Sequence, residues 1–417
     1  MNKTILVHLP AYREPELVPT IEDAIKNAKH PDRVHFGICR QYHPDDQFDD
    51  VDQFRDREGF KVMDVHYKDA KGLPWARAQI NEQLMTDEDY LLQLDSHHRF
   101  AKDWDQILID MHDELKADGV KKPLIGGYLP QYNPSTDPKG RADCPWQAQF
   151  ACFYPFGTIF IRPGELPNWR NLKKPPRARF LSGHFCFGDS QWGRDVLHDP
   201  DIFFSGEELN LSVRSYTHGY DIFHSHKLLI WHATMREERS GMLVWDDKSK
   251  SGDHAWVKQQ DDARKKIRQL LCGEDNGFEI DPKYDLGKER TVADYEKFAG
   301  LDFKNKRVKQ STHENKYPPV PEDDPWMTSF YHLVNVDRSQ LPGDDYESIL
   351  IAFDDKDGNG IFSKSIDGAQ LTNFMNGKPI HYEEMFLHSN DKKPEKFVAW
   401  AVSKSRGWAE RIESVIS

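Results

Sequence analysis

The chain is poor in several things, and each shortage removes a class of protein. Its 417 residues contain five cysteines, Cys39, Cys144, Cys152, Cys186 and Cys272, an odd number with no CxxC pair. That argues against a disulfide framework or structural zinc and points to a reducing compartment. No apolar stretch approaches the roughly 18 residues of a membrane span. The N-terminal Met-Asn-Lys-Thr-Ile-Leu-Val shows no secretory pattern and runs into a strand-like segment, so a cytoplasmic location is expected. No excess of positive charge exists: the formal net charge is −13, which disfavours non-specific nucleic-acid binding. No Gly-rich Rossmann fingerprint and no GxxxxGK[ST] loop occurs, which disfavours NAD(P) enzymes and P-loop phosphoryl transfer. No internal repeat is visible. What is present, 38% hydrophobic and 30% charged residues, is the composition of a folded globular chain.

The first 130 residues alternate strand-like and helix-like segments. Strands are expected at 4–9, 33–39, 60–66, 90–94 and 123–128, with helices at 16–29, 74–85 and 102–117. This rhythm predicts an α/β domain with a mainly parallel sheet, whose ligands bind beyond the carboxyl ends of its strands. Residues 130–180, rich in Pro, Gly, Arg and aromatics, read as irregular, with one strand near 155–161. A helix at 206–218, a strand-like run at 220–231, a polar loop at 236–252 and a helix at 254–271 follow. The division expected is a catalytic domain over 1–304, a linker over 305–325 and a small β-rich domain over 326–417.

The sharpest chemical signal is Leu94-Asp95-Ser96-His97-His98. A strand delivers Asp95 at its carboxyl end, and period two puts Asp95 and His97 on one side. Oxygen plus imidazole donors suit a borderline divalent ion such as Mn²⁺ (or Mg²⁺) better than Ca²⁺. An exposed capping Asp with two surface histidines is the plain alternative. Phe204-Ser205-Gly206-Glu207-Glu208 opens the 206–218 helix. The helix dipole accounts for one glutamate there, and the other is a candidate for sugar hydroxyls. His224, His226 and His232 share a strand-like segment, and His232 is the candidate for a third metal ligand. Candidates for the nucleotide are Pro10, Ala11, Tyr12 and Arg13, then Arg40 and Gln41, then Arg77. Tyr12 suits a base, and Arg13, Arg77 and Arg236 suit phosphates. Asp355-Lys356-Asp357-Gly358-Asn359-Gly360 begins like an EF-hand, but Ile366 stands at the twelfth position. Strand-like flanks make it a hairpin turn instead of a calcium site.

Taken in order, these pieces resemble the GlcNAc-type glycosyltransferases that include the cytoplasmic hydroxyproline N-acetylglucosaminyltransferases, a family similar to the polypeptide GalNAc transferases. The resemblance runs over residues 4–300. Ile5–Pro15 looks like the first strand and uridine loop, Leu73–Arg77 the nucleotide-side helix start, and Asp95-Ser96-His97 the Asp-x-His metal motif. Leu181-Ser182-Gly183-His184-Phe185-Cys186 looks like the strand flanking the donor sugar, Phe204–Arg214 the Trp-Gly-Gly-Glu-Asn helix, and Arg290–Gly300 the tail segment. Phe204-Ser205 stands where the related enzymes have Trp-Gly. The resemblance implies a GT-A type domain, a UDP-sugar donor, a protein or glycan hydroxyl acceptor and retention of anomeric configuration. It implies Mn²⁺ on Asp95, His97 and His232, charge at the phosphates from Arg77 and Arg236, and a donor sugar positioned by Gly183, His184, Gly206 and Glu207. The competing readings are a metal-dependent hydrolase or nucleotidyltransferase acting on a nucleotide-sugar, and a non-catalytic sugar- or calcium-binding protein.

Overall fold

The computed structural model describes residues 3–234, 241–252, 254–336, 338–341, 343–376, 380–389 and 392–416. They gather into two compact units. The first comprises residues 1–151, 158–300 and 312–320, and the second 152–157, 301–311 and 321–417. The stretch expected to be a linker, 305–325, is thus shared between the units, and it carries a strand, Arg307–Lys309, and a short helix, Gln310–His313.

In the first unit the elements run β1 Ile5–Tyr12, α1 Leu17–Asn27, β2 Val34–Tyr42, β3 Phe60–His66, α2 Leu73–Gln83, β4 Tyr90–Leu94, β5 His98–Phe100, α3 Trp104–Ala117 and β6 Pro123–Gly126. Then come β7 Trp146–Phe153, β8 Ile159–Glu165, β9 Phe185–Asp189, α4 Gln191–Asp195, α5 Glu207–Thr217, β10 Asp221–Phe223, β11 Ile230–His232, α6 Val244–Lys250, α7 Ala255–Cys272 and α8 Val292–Ala299. Seven strands form one sheet in the order β3-β2-β1-β4-β9-β6-β10. Strand β9 runs antiparallel to both neighbours, and the remaining pairs are parallel. This is the α/β, mainly parallel sheet expected of a GT-A type domain. Strand order reverses between β1 and β4, so the crevice beyond Tyr12 and Leu94 is where a ligand would lie.

The local causes are simple. Strands β1 and β4 are apolar runs buried on both faces. Helix α1 buries Leu17, Ile21 and Ala24, and α3 buries Trp104, Leu108, Met111 and Leu115, each set at i, i+4, i+7 spacing or close to it. These stripes complete one core with Val7, Leu9, Ile38 and Leu92 of the sheet.

Three expectations change. The 130–180 stretch holds two strands, β7 and β8. The run 220–231 is broken into β10 and β11, because the His224-Ser225-His226 stretch leaves the ladder. The polar 236–252 stretch contains helix α6. Residues 235–240, and with them Arg236, lie outside the described residues.

The second unit is antiparallel. Trp326–Val336 pairs with Ile380–Ser389, and Tyr346–Asp354 lies between Gly360–Asp367 and Lys396–Ser403. Ile349, Ile351, Phe353, Phe397 and Ala399 point into its core at period-two spacing. Asp355–Gly360 is a hairpin turn. The Asp355 carboxylate accepts the amides of Asp357 (3.0 Å) and Asn359 (2.8 Å), as an Asx turn does.

Candidate active site

Beyond β4 the chain turns sharply through Asp95-Ser96-His97. Thr20, buried on α1, pins this turn: its Oγ1 accepts the His98 amide (2.8 Å) and donates to the Ser96 carbonyl (3.2 Å). The turn leads into β5, which pairs antiparallel with β11 so that His98 lies opposite His232. Two residues more than 130 positions apart are thereby brought together. His97 Nε2 is 2.9 Å from His232 Nε2, and Asp95 Oδ2 lies 3.6 Å and 3.4 Å from these two atoms. Among the described residues this trio is the one cluster of three or more His, Cys, Asp or Glu side chains with metal-holding spacing.

The donor set fits a divalent cation. Atoms about 2.1 Å from one ion and at right angles to each other are about 3 Å apart, close to the triangle found. The protonation pattern fits too. His97 Nδ1 donates to Glu14 Oε2 (3.1 Å), which leaves a lone pair on Nε2, directed at His232. A carboxylate behind a histidine is a common support for a ligating imidazole. Burial opposes the charge on Asp95, yet the His232 imidazole and the Arg77 guanidinium outweigh it and hold the carboxyl well below the usual range. His184 lies flat against His232, rings 4.3 Å apart and 14° from parallel, and His98 packs at 5.0 Å. Burial keeps both of these neutral. His184 is fixed from both nitrogens, by the Leu129 amide (3.0 Å) and Ser182 Oγ (2.7 Å).

Arg77 is given a different task from the phosphate-facing one expected. It is fully buried, with Nη2 on Asp95 Oδ1 (2.7 Å) and Nη1 on Glu207 Oε1 (2.6 Å). It ties the end of β4 to the start of α5. His8 on β1 secures it in turn by bonding the Arg77 carbonyl (3.0 Å). Gly206, at φ +90°, precedes α5 and lets Glu207 enter the helix beside Arg77. Burial raises the Glu207 carboxyl in spite of Arg77, and burial also pushes Glu208 up to about 7. Glu208 accepts the Gly183 amide (3.1 Å), so Gly183 and both glutamates form one cluster.

A cleft of about 300 Å³ opens on the trio. Pro10, Tyr12 and Gln41 line it, together with Glu14, Asp95, His97 and His232. Ala11 is buried in the ladder beside β2. Arg13 and Arg40 depart from the expectation of phosphate contact. Arg13 is held by Asp46 (2.7 Å) and Asp247 (2.7 Å), and Arg40 by Asp49 (2.8 Å). His224 and His226 stand apart from the trio. His224 faces the Gly126 carbonyl (3.3 Å), and both rings are kept neutral by burial.

Four residues of the cleft wall, Phe203, Leu243, Val244 and Trp245, belong to no motif in the sequence. Phe203, Phe204, Leu243, Val244 and Trp245 make an apolar side facing the ligands, and the Phe204 and Trp245 rings meet edge to face at 5.6 Å. Asp247 on α6 takes hydrogen bonds from Tyr12 Oη (2.8 Å) and Arg13 Nη1 (2.7 Å), which ties α6 to the end of β1. Glu14 was read only as part of that loop. No local pattern announces either contact, since both join distant segments.

A family model described as Glycosyltransferase (GlcNAc) matches residues 4–54 and 44–305. No curated protein sequence matches the chain. Among solved structures, the chain is similar to GalNAc-T7 with UDP, GalNAc and Mn²⁺, at 12% identity and TM-score 0.47 over 100% of this chain and 72% of that one. It is similar to S. aureus TarS 1–349 in complex with UDP-GlcNAc, at 15% identity and TM-score 0.36 over 56% and 59%. It is also similar to the mannosyltransferase PcManGT from Pyrobaculum calidifontis in complex with GDP-Man and Mn²⁺, at 9% identity and TM-score 0.38 over 67% and 66%.

Proposed function

The chain belongs to the GlcNAc glycosyltransferase family, and from that premise we propose that it transfers a sugar, GlcNAc by preference, from a UDP-sugar to a hydroxyl of a protein or glycan, with retention of configuration. One observation carries this reading: Asp95, His97 and His232 bring their ligand atoms within 4.8 Å of one another in the wall of a cleft that Pro10, Tyr12 and Gln41 also line. In this proposal those three residues hold Mn²⁺ or Mg²⁺. A divalent cation there supplies Lewis-acid stabilisation of the departing diphosphate.

The remaining roles belong to the chain itself. Glu14 orients His97, and Arg77 fixes the rotamers of Asp95 and Glu207. Pro10, Tyr12 and Gln41 border the uridine, and Gly183, His184, Gly206 and Glu207 form the sugar side. In the transfer the bond from the anomeric carbon to phosphate breaks and a bond to the acceptor oxygen forms. The acceptor proton passes to the departing phosphate oxygen. Asp95 and Glu207 are both tied to Arg77, and neither is assigned as a base in this proposal. Residues 1–304 are proposed as the catalytic portion, with 326–417 as an accessory domain. Among the described residues no helix is long and apolar enough to cross a membrane, and a cytoplasmic location forms part of the proposal.

The test is a panel of UDP-sugars incubated with peptide and oligosaccharide acceptors, with Mn²⁺, Mg²⁺ or EDTA, and read by mass spectrometry. A glycosylated product that needs the cation supports the reading. Release of free sugar without any glycosylated product would replace it with a hydrolase.

A further inference from the structure

The C-terminal unit carries two adjoining tryptophans, Trp400 and Trp408. Strand Lys396–Ser403 points Phe397, Ala399 and Ala401 into the core, so period two turns Trp400 and Val402 to the outer face. Trp408, on the short return strand Gly407–Trp408, lies opposite Val402 and is 54% exposed. The two indoles sit 4.3 Å apart at 38°. Trp400 is fixed by its Nε1–H, which donates to the Ala409 carbonyl (2.9 Å). The half-buried Trp400 and the exposed Trp408 therefore make one aromatic patch on this face.

We propose that this face is a binding site for a neutral oligosaccharide, distinct from the metal-centred cleft. The ladder places Leu350 opposite Trp400 and Ser365 opposite Leu350. In the next row Ser348 lies opposite Val402, and Asp367 opposite Ser348. From the indoles to the far strand the platform crosses three strand spacings, about 14 Å, the length of a short oligosaccharide. A pyranose has one face of C–H bonds and a rim of hydroxyls. The C–H face suits the negative face of an indole, and the hydroxyls suit Ser365, Ser348 and Asp367. An apolar peptide would leave that hydroxyl and carboxylate end unpaired, at a cost in desolvation. A polyanion would meet Asp367 with no cation in these two rows to offset it. A neutral sugar chain is the class that satisfies both ends. This inference does not depend on the transfer reaction, and its readout is binding.

The experiment uses the full chain and two probes, the β-1,4-linked tetrasaccharides of GlcNAc and of glucose, followed by tryptophan fluorescence and saturation-transfer NMR. At least one probe is expected to bind with a Kd of about 1 mM or tighter. Trp408→Ala is expected to weaken it by about 10-fold or more, and Trp408→Phe to keep most of it. Trp400→Phe serves as a second variant at the better-buried ring. Cation-dependent consumption of the UDP-sugar should be unchanged in Trp408→Ala. Absence of binding by both probes at about 10 mM, or equal binding by Trp408→Ala, overturns the proposal. Self-association that Trp408→Ala abolishes, with no sugar bound, overturns it in favour of a protein interface.

Discussion

Glu14 stands 3.1 Å behind His97, its Oε2 on the imidazole Nδ1, and both side chains are buried. The carboxylate decides which nitrogen of His97 carries the proton, and so directs the Nε2 lone pair toward Asp95 and His232. Glu14→Gln keeps the shape but weakens this bond. Affinity for Mn²⁺ is expected to fall about 10- to 100-fold, measured by titration calorimetry, with the fold intact by circular dichroism.

Asp95→Asn removes the only carboxylate of the trio and leaves an amide oxygen for Arg77. UDP-sugar consumption is expected to drop at least about 100-fold at saturating Mn²⁺. Full turnover by this variant would refute the cation assignment.

Arg77→Met strands two carboxylates that burial already disfavours. Loss of one partner from a buried ion pair costs about 3–5 kcal/mol, so the urea midpoint should fall by a corresponding amount. An unchanged midpoint would mean that Asp95 and Glu207 do not depend on Arg77.

Asp247→Ala cuts the tie of α6 to Tyr12 and Arg13. The KM for the donor is expected to rise several-fold, and the melting temperature to fall as well, because the Arg13 and Asp247 side chains are only 12% and 10% exposed and Arg13 loses a largely buried partner. An unchanged KM would show that α6 does not help to retain the nucleotide.

His112 provides an acid-sensitive point far from the cleft. It is fully buried between Tyr90 and Phe187, and neither ring nitrogen makes a hydrogen bond. Burial lowers it to about 4. The carboxylates of Asp189 and Asp113 oppose that shift, and Lys116 and Lys3 assist it. Because the folded form resists a proton that the unfolded chain takes up near 6.5, stability is whole above about 6.5. It declines as the pH falls towards about 4, by about 3 kcal/mol in all. Urea titrations at pH 7 and pH 4.5 should show this loss, and His112→Leu should show less of it.

Much of this was legible along the chain. The strand edges at 60–66 and 90–94 coincide with the observed β3 and β4, and the second is a short, fully buried run bounded by polar turns that leaves few alternatives. The boundaries failed where polar residues form regular structure through distant contacts. Helix α6 is an example: it is polar, and its Asp247 is anchored to Tyr12 and Arg13, more than 230 positions away. Arg13, Arg40 and Arg77 look alike in a sequence. Nothing local says that all three are already matched with carboxylates.

By itself the sequence determined the alternation of strands and helices, the delivery of Asp95 at a strand end, and the glutamates at the start of α5. These follow from periodicity and chain direction, which are local. Only the tertiary structure decided that β5 and β11 pair in the register that sets His232 against His97, that Glu14 stands behind His97, and that Arg77 is an internal clamp. Pairing across more than 130 residues is fixed by which surfaces bury together, and no window along the chain contains that information.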